Sequence, residues 1–132
     1  MAVTIDGSAG VTTNAGGSVN PSTNIDGINY SCRAWVNFNG AGTVAINASG
    51  NVSSITDNGV GDYTVNFTTA ITDANYAVSG MAKSSDTAGV RMAAMQLIAN
   101  ATATATSFVR VTVQYTNTDT RDANPVSVAV FR

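Results

Sequence analysis

The feature that most restricts the fold of this chain is an alternation of apolar and polar residues with a period of two. Residues 62–68 place an aromatic or aliphatic side chain at every second position and polar side chains between them. Residues 108–115 and 126–130 repeat the pattern, mostly with valine. Successive side chains of a β-strand point to opposite faces of its sheet, so this period predicts half-buried strands.

Four further segments have a strand-forming composition, over residues 32–38, 43–48, 52–57 and 75–83. Between them lie pairs of residues that accept the positive φ of tight turns, namely Asn39-Gly40, Ser49-Gly50 and Asn58-Gly59. The chain is therefore predicted to run as a series of hairpins.

Residues 90–98 fit this pattern less well, because they include helix-forming side chains that could build about two helical turns. We favour a strand, because the neighbouring segments are strands and neither a capping box nor a glycine stop marks a helix. The chain then has about eight strands and no spacing for parallel βαβ units. The sequence predicts an all-β fold over residues 31–132, a two-sheet antiparallel β-sandwich of the jelly-roll or Greek-key kind.

Residues 1–30 differ from the rest in being small, polar and glycine-rich, with few large apolar side chains. Such a segment buries too little area to offset the entropy lost on ordering. We therefore expect residues 1–30 to form an extended arm that docks on a partner or makes contacts within a trimer.

Composition excludes most catalytic sites. The sequence has no His, and its acidic residues are all Asp, so a Ser-His-Asp triad, an imidazole-bound zinc or a Glu general acid cannot be built. We predict that the chain is not an enzyme and holds no cofactor or metal. Loops 57–62 and 119–122 place Asp and Asn oxygens where calcium could bind, but we favour ordinary turns because neither follows EF-hand spacing.

Charge and hydropathy also limit the partners. A net charge of −2, with six dispersed Lys and Arg residues, makes nucleic acid a poor candidate. No apolar run is long enough for insertion into a membrane. The first residues lack a secretory signal, so we expect the chain to be made and kept in the cytoplasm until it is released.

The segment 32–38 supplies the candidate contact residues. If its even-numbered residues face the core, Trp35 faces outward, and Arg33 and Tyr30 lie close to it in the sequence. An outward Trp is either an interface anchor or a platform on which sugar rings stack, and we favour the interface. Cys32, the single cysteine, is expected to be a buried small hydrophobic residue.

Two segments are distinctive together: Arg-Ala-Trp-Val-Asn-Phe-Asn-Gly at residues 33–40 and Gly-Asp-Tyr-Thr-Val-Asn-Phe at residues 61–67. With the sequence around them, from Cys32 to about Tyr76, they resemble a C-terminal β-module found in tail-fibre and other virion proteins of tailed bacteriophages. The opening Val3-Thr4-Ile5-Asp6-Gly7-Ser8 also resembles the start of phage fibre proteins. The resemblance implies a phage structural protein, trimeric, and transfers no catalytic residue.

Fibres with this module usually carry a long shaft before it, whereas here only residues 1–30 precede it. We therefore expect a short tail fibre or fibre tip in the virion. The expected partners are other copies of the chain in a homotrimer, a larger tail or capsid protein contacted by residues 1–30, and a host-surface carbohydrate. Two alternatives stay open, a capsid decoration protein that stabilises the phage head and a carbohydrate-binding module.

Overall fold

The computed structural model describes residues 3–6, 10–13, 31–83, 94–98, 101–116 and 119–132. The chain divides into two units, Met1–Ser31 and Cys32–Arg132. In the first unit, strands β1 (Val3–Asp6) and β2 (Gly10–Thr13) pair in antiparallel register. The rest of the predicted arm lies outside the described residues.

The second unit is a β-sandwich, as the alternating pattern predicts. Its strands are β3 (Cys32–Asn39), β4 (Ala45–Gly50), β5 (Val52–Gly59), β6 (Asp62–Phe67), β7 (Ala77–Ala82), β8 (Ala94–Leu97), β9 (Phe108–Thr116), β10 (Asp119–Thr120) and β11 (Val126–Phe131). The first sheet has the order β4-β3-β11-β7, and the second has the order β10-β9-β6-β5 with β8 also paired to β9. Every pairing is antiparallel, and the described residues contain no helix.

One hydrophobic core lies between the two sheets and is built by the inward side chains of the alternating strands. Every second residue of β6 is buried, and the same holds for β11. The ring of Phe38 packs edge-on against that of Tyr63, with centroids 5.1 Å apart. Burying one such side chain contributes about 1.5–3 kcal/mol. The buried set is Ala34, Val36, Phe38, Val52, Tyr63, Val65, Phe67, Ile71, Val109, Val111, Val113, Ala123, Val126, Val128 and Val130.

The described part of the segment 90–98 is a strand. β8 pairs with β9 in a register that puts Leu97 opposite Val111. The strand favoured from the sequence is therefore confirmed for Ala94–Leu97. Residues 90–93 lie outside the described residues.

Cys32 is exposed, so the prediction that it is a buried residue is wrong. The ladder between β3 and β11 skips Arg33 between the pairs made by Ala34 and Cys32. Such a bulge interrupts the alternation of side chains at the start of β3. The thiol of Cys32 does not continue the inward row, and donates a weak hydrogen bond to the carbonyl of Ala34 over 3.3 Å.

Two of the three predicted turns are displaced. Asn58 and Gly59 belong to β5, and that hairpin turns at Val60 and Gly61. Ser49 and Gly50 belong to β4, and the chain reverses at Asn51, whose φ is 56°. The side chain of Asn51 holds this left-handed conformation: its amide donates to the carbonyls of Arg33 and Thr69, over 2.9 and 3.0 Å. Its Oδ1 accepts from the N–H of Thr69 over 2.7 Å. Asn tolerates positive φ better than most residues, which explains the position.

A buried hydroxyl joins three loops at one end of the sandwich. The oxygen of Tyr63 lies 2.8 Å from the carbonyl oxygen of Gly40 and 2.9 Å from Oδ1 of Asp122, so two acceptors share its proton. Oδ1 of Asp122 also accepts from the N–H of Gly61 over 2.8 Å. A Cβ at Gly40 would lie 2.6 Å from the hydroxyl oxygen of Tyr63, so this position requires glycine. The loops after β3, before β6 and before β11 are thereby connected.

Replacing Tyr63 with Phe is expected to lower the free energy of unfolding by about 1–3 kcal/mol, because two buried acceptors lose their donor. Urea denaturation followed by the fluorescence of Trp35 measures the change. Thr64→Val, one residue further along β6 and on its outward face, is the control. It removes only an exposed hydrogen bond, from Asn58, and should change stability little. Equal losses in the two variants would contradict the role given to the hydroxyl.

The same hydroxyl predicts a loss of stability in alkali. Burial, and then the hydrogen bond to Asp122, raises the pKa of Tyr63 well above its ordinary value of 10.0. The folded state then holds this proton more tightly than the unfolded state. The stabilisation is complete below pH 10 and declines as the pH rises further, by up to about 1.4 kcal/mol per pH unit for one group.

Unfolding measured from about pH 8 to about pH 11.5 should show this decline, and Tyr63→Phe should reduce its slope. Burial also raises the pKa of Tyr76, so part of the decline should remain in the variant. An unchanged slope in Tyr63→Phe would show that the buried hydroxyl is not its source.

Candidate binding face of the first sheet

The outward face of the second sheet is polar, and its side chains hydrogen bond to one another. Nδ2 of Asn66 donates to Oγ1 of Thr56 over 2.9 Å. Arg110 donates two hydrogen bonds to Asp62, over 2.9 and 2.6 Å, and these bonds raise the pKa of Arg110 above its ordinary value. Bonds of this kind leave few polar groups on this face in need of an external partner.

The outward face of the first sheet differs, because it leaves large apolar side chains uncovered. Trp35 on β3 is 44% exposed, Met81 on β7 is 77% exposed and Phe131 on β11 is 40% exposed. An uncovered group of apolar side chains on one surface is typical of a contact site. We call the part of this surface around Trp35 the Trp35 face and define it by the outward residues Trp35, Asn37, Ser79, Met81, Ser127 and Ala129. Phe131 lies outside it, at the end of β11.

Cross-strand register brings these residues together, although β3, β7 and β11 are far apart in the sequence. One row across the sheet consists of Trp35, Ala129 and Ser79, and the next of Asn37, Ser127 and Met81. Residues directly opposite one another on a sheet have Cβ atoms about 4.5–5.5 Å apart. The small side chains of Ala129 and Ser127 on β11 therefore lie between the large side chains on β3 and Met81 on β7.

The indole of Trp35 is seated on the neighbouring strand. Gly50 on β4 lies opposite Trp35, and a Cβ at Gly50 would clash with Nε1 of the indole and lie 2.9 Å from its Cδ1. The ring thus fills the space that a side chain at this position would need. One side of the indole rests on the β4 backbone while almost half of the residue stays accessible.

Hydrogen bonds fix the polar part of the Trp35 face. Nδ2 of Asn37 donates to Oγ of Ser127 over 2.9 Å, which connects β3 to β11. Oδ1 of Asn37 accepts from Nδ2 of Asn47 over 2.9 Å, which connects β3 to β4. The orientation of Asn37 is therefore set on both sides.

The Trp35 face contains an open depression of about 420 Å³. Its walls are Trp35 and Asn37 on one side and Ser79 and Met81 on the other, and β11 forms its floor. A second depression of about 220 Å³ shares Met81 and Ser127 with the first and extends to Lys83 and Pro125. Together they form a groove that follows β11, which we call the β11 groove.

The three predicted contact residues, Trp35, Arg33 and Tyr30, have different outcomes in the structure. Trp35 faces outward, as the alternation predicts. Arg33 is half-buried at the bulge of β3, and its carbonyl accepts from the side chain of Asn51. Tyr30 lies outside the described residues. The sequence analysis missed Met81 and Lys83, because only strand pairing brings the end of β7 to the Trp35 face.

The Asp oxygens in loops 57–62 and 119–122 accept hydrogen bonds from the protein itself, from distant residues at Asp62 and Asp122 and from near neighbours elsewhere. Oδ1 of Asp57 accepts from the N–H of Gly59 over 3.0 Å, which is an ordinary turn bond. Asp119 forms an ion pair with Arg121 over 3.0 Å. In the described part of the chain, no three potential metal-ligating side chains of His, Cys, Asp or Glu come together.

Comparisons with known proteins assign no function to this surface. The chain was compared with protein-family models, with curated proteins and with solved structures, and no match was found. Within the described ranges, no helix is long and apolar enough to cross a membrane. What the chain does has to be inferred from its own residues.

Gly50→Ala is expected to push the indole of Trp35 off β4, because the added methyl group occupies the position of the ring. Trp35 is the single tryptophan, so the emission maximum should move to longer wavelengths as the ring becomes more hydrated. Ala45→Val, which enlarges an exposed residue of the same strand, should leave the emission unchanged. A spectrum unaffected by Gly50→Ala would contradict the seating of the ring on Gly50.

Proposed function

We propose that this chain is a non-catalytic structural protein of a bacteriophage particle, a short tail-fibre or fibre-tip module that binds through the Trp35 face. The observation that carries the binding role is the difference between the two outward faces of the sandwich. One face satisfies its polar groups internally, as in the pair Arg110–Asp62. The other leaves Trp35 and Met81 uncovered, and aromatic residues and Met are enriched where proteins bind one another.

The resemblance to phage virion modules supports the structural part of this proposal. Its two distinctive segments, residues 33–40 and 61–67, lie mainly in β3 and β6, one strand from each sheet. The hydrogen bond from Tyr63 to the carbonyl of Gly40 connects them. The resembling residues therefore include those that build the sandwich and close one end of it.

Trimer formation is assigned to residues 1–30, which also dock the module on a larger tail or capsid protein. Their glycine-rich and polar sequence supports this assignment, because such a segment gains order mainly from a partner. The Trp35 face is then left for a contact outside the trimer, such as a carbohydrate on the host surface. A non-catalytic role is supported by the lack of His and Glu in the sequence.

Light scattering of the purified chain at micromolar concentration should give three times the chain mass of 13.4 kDa. Trp35→Ala and Met81→Ser should keep this mass, because the proposed trimer contacts lie in residues 1–30. A stable monomer would count strongly against the proposal. Loss of the trimer in a folded Trp35→Ala variant would instead make the Trp35 face the trimer interface.

The position of the chain in the particle distinguishes a tail fibre from a capsid decoration protein, because the fold alone fits both roles. Antibody raised against the chain should label the tail tip of virions encoded by the same genome in electron micrographs. Label distributed over the head would replace the fibre with a decoration protein that stabilises the capsid.

A further inference from the structure

We propose that the β11 groove binds an acidic oligosaccharide. This inference rests on the proposed function, because it names the partner of the face proposed there to make contacts. The groove runs from Trp35 and Ala129 at one end to Lys83 and Pro125 at the other. Ala129 lies four positions after Pro125, which corresponds to about 14 Å of extended chain. An oligosaccharide of a few rings fits this length.

Trp35 provides the apolar surface that a sugar ring needs. One face of a pyranose ring carries mainly C–H groups, and a flat aromatic ring removes these from water without leaving a polar group unpaired. The indole is already seated on Gly50, so little side-chain conformational entropy is lost when a ligand binds to it. The larger depression, of about 420 Å³, lies within the range of about 300–1,000 Å³ that small-ligand sites occupy.

Hydroxyl groups line the floor and wall where the hydroxyls of a sugar would lie. Oγ of Ser127 accepts from Asn37, and its own O–H is left to donate. Within the described residues, the hydroxyl of Ser79 has no hydrogen-bond partner, and it lines the larger depression next to Met81. The groove thus combines a mostly apolar lining with two hydroxyls that can donate and accept, as carbohydrate hydroxyls require.

Charge favours an anionic ligand over a second copy of the chain. Among the residues that the structure describes, Lys83 is the one charged residue that lines the two depressions, and none of them forms an ion pair with it. At the opposite end of β7, Asp73 is already paired with Arg132, which lowers the pKa of Asp73. Two Trp35 faces packed on each other would leave Lys83 without an anion. A carboxylated sugar at the Pro125 end of the groove would supply one.

The test uses the full chain in affinity electrophoresis through gels that contain bacterial capsular or O-antigen polysaccharides, each acidic one paired with its carboxyl-reduced neutral form. Acidic polysaccharides should retard the chain more strongly than the reduced forms, and added salt should weaken the retardation. Trp35→Ala should reduce the association constant by about tenfold or more, and Lys83→Gln by about fivefold.

Two matched variants control for unspecific effects. Phe131→Ala removes an exposed aromatic residue of the same sheet that does not line the groove, and Arg121→Gln removes an exposed cation of the second sheet. Both should bind as the parent chain does. Equal effects of Trp35→Ala and Phe131→Ala, or equal retardation by acidic and reduced polysaccharides, would overturn the inference.

Light scattering of the same samples separates the two proposals. A trimer that no polysaccharide of the panel retards overturns the glycan site and leaves the structural role intact. If Trp35→Ala dissociates this trimer while the fold is kept, a second copy occupies the groove instead. A monomer without retardation overturns both.

Discussion

The buried hydroxyl of Tyr63 is the constraint on which the arrangement of the sandwich depends. It donates to the carbonyl oxygen of Gly40 and to Oδ1 of Asp122. Oδ1 of Asp122 also accepts from the N–H of Gly61. A buried donor and its acceptors are costly to leave unpaired, so the three loops have to meet at this point. Because these loops lead out of β3 and into β6 and β11, the bond set fixes the strands that carry most of the core. The register of β3 against β11 then determines which residues appear together on the outward face.

The two outward faces differ in how they present a chain with few charges to water. Charged residues make up 11% of the sequence, so water is met mainly by Asn, Ser and Thr side chains. On the second sheet these side chains bond to one another across strands, as Asn66 does with Thr56. On the first sheet the corresponding positions hold Trp35, Met81 and small residues. Exposing Trp35 and Met81 to water has a free-energy cost, and this fits the binding role proposed for their surface.

Much of the fold could be predicted from the sequence, because side-chain alternation is a local property. Strands such as β6 and β11 show it without interruption, and the structure confirms both. The errors occur where pairing overrides the local pattern. Cys32 is exposed because the β3–β11 ladder skips Arg33, and the turn lies at Asn51 because carbonyls 18 residues away hold its side chain. Neither effect is visible in a single segment.

The sequence by itself determined that the chain is all-β, that it lacks the side chains of most catalytic sites, and that Trp35 points away from the core. Composition and a period of two suffice for these conclusions, because each depends on one residue and its nearest neighbours. Only the tertiary structure decided that Trp35 rests on Gly50, that Met81 faces it across Ala129 and Ser127, and that Lys83 ends the groove. β3, β11 and β7 are paired through long connections, and the sequence contains no local signal for which of these three strands lies beside which.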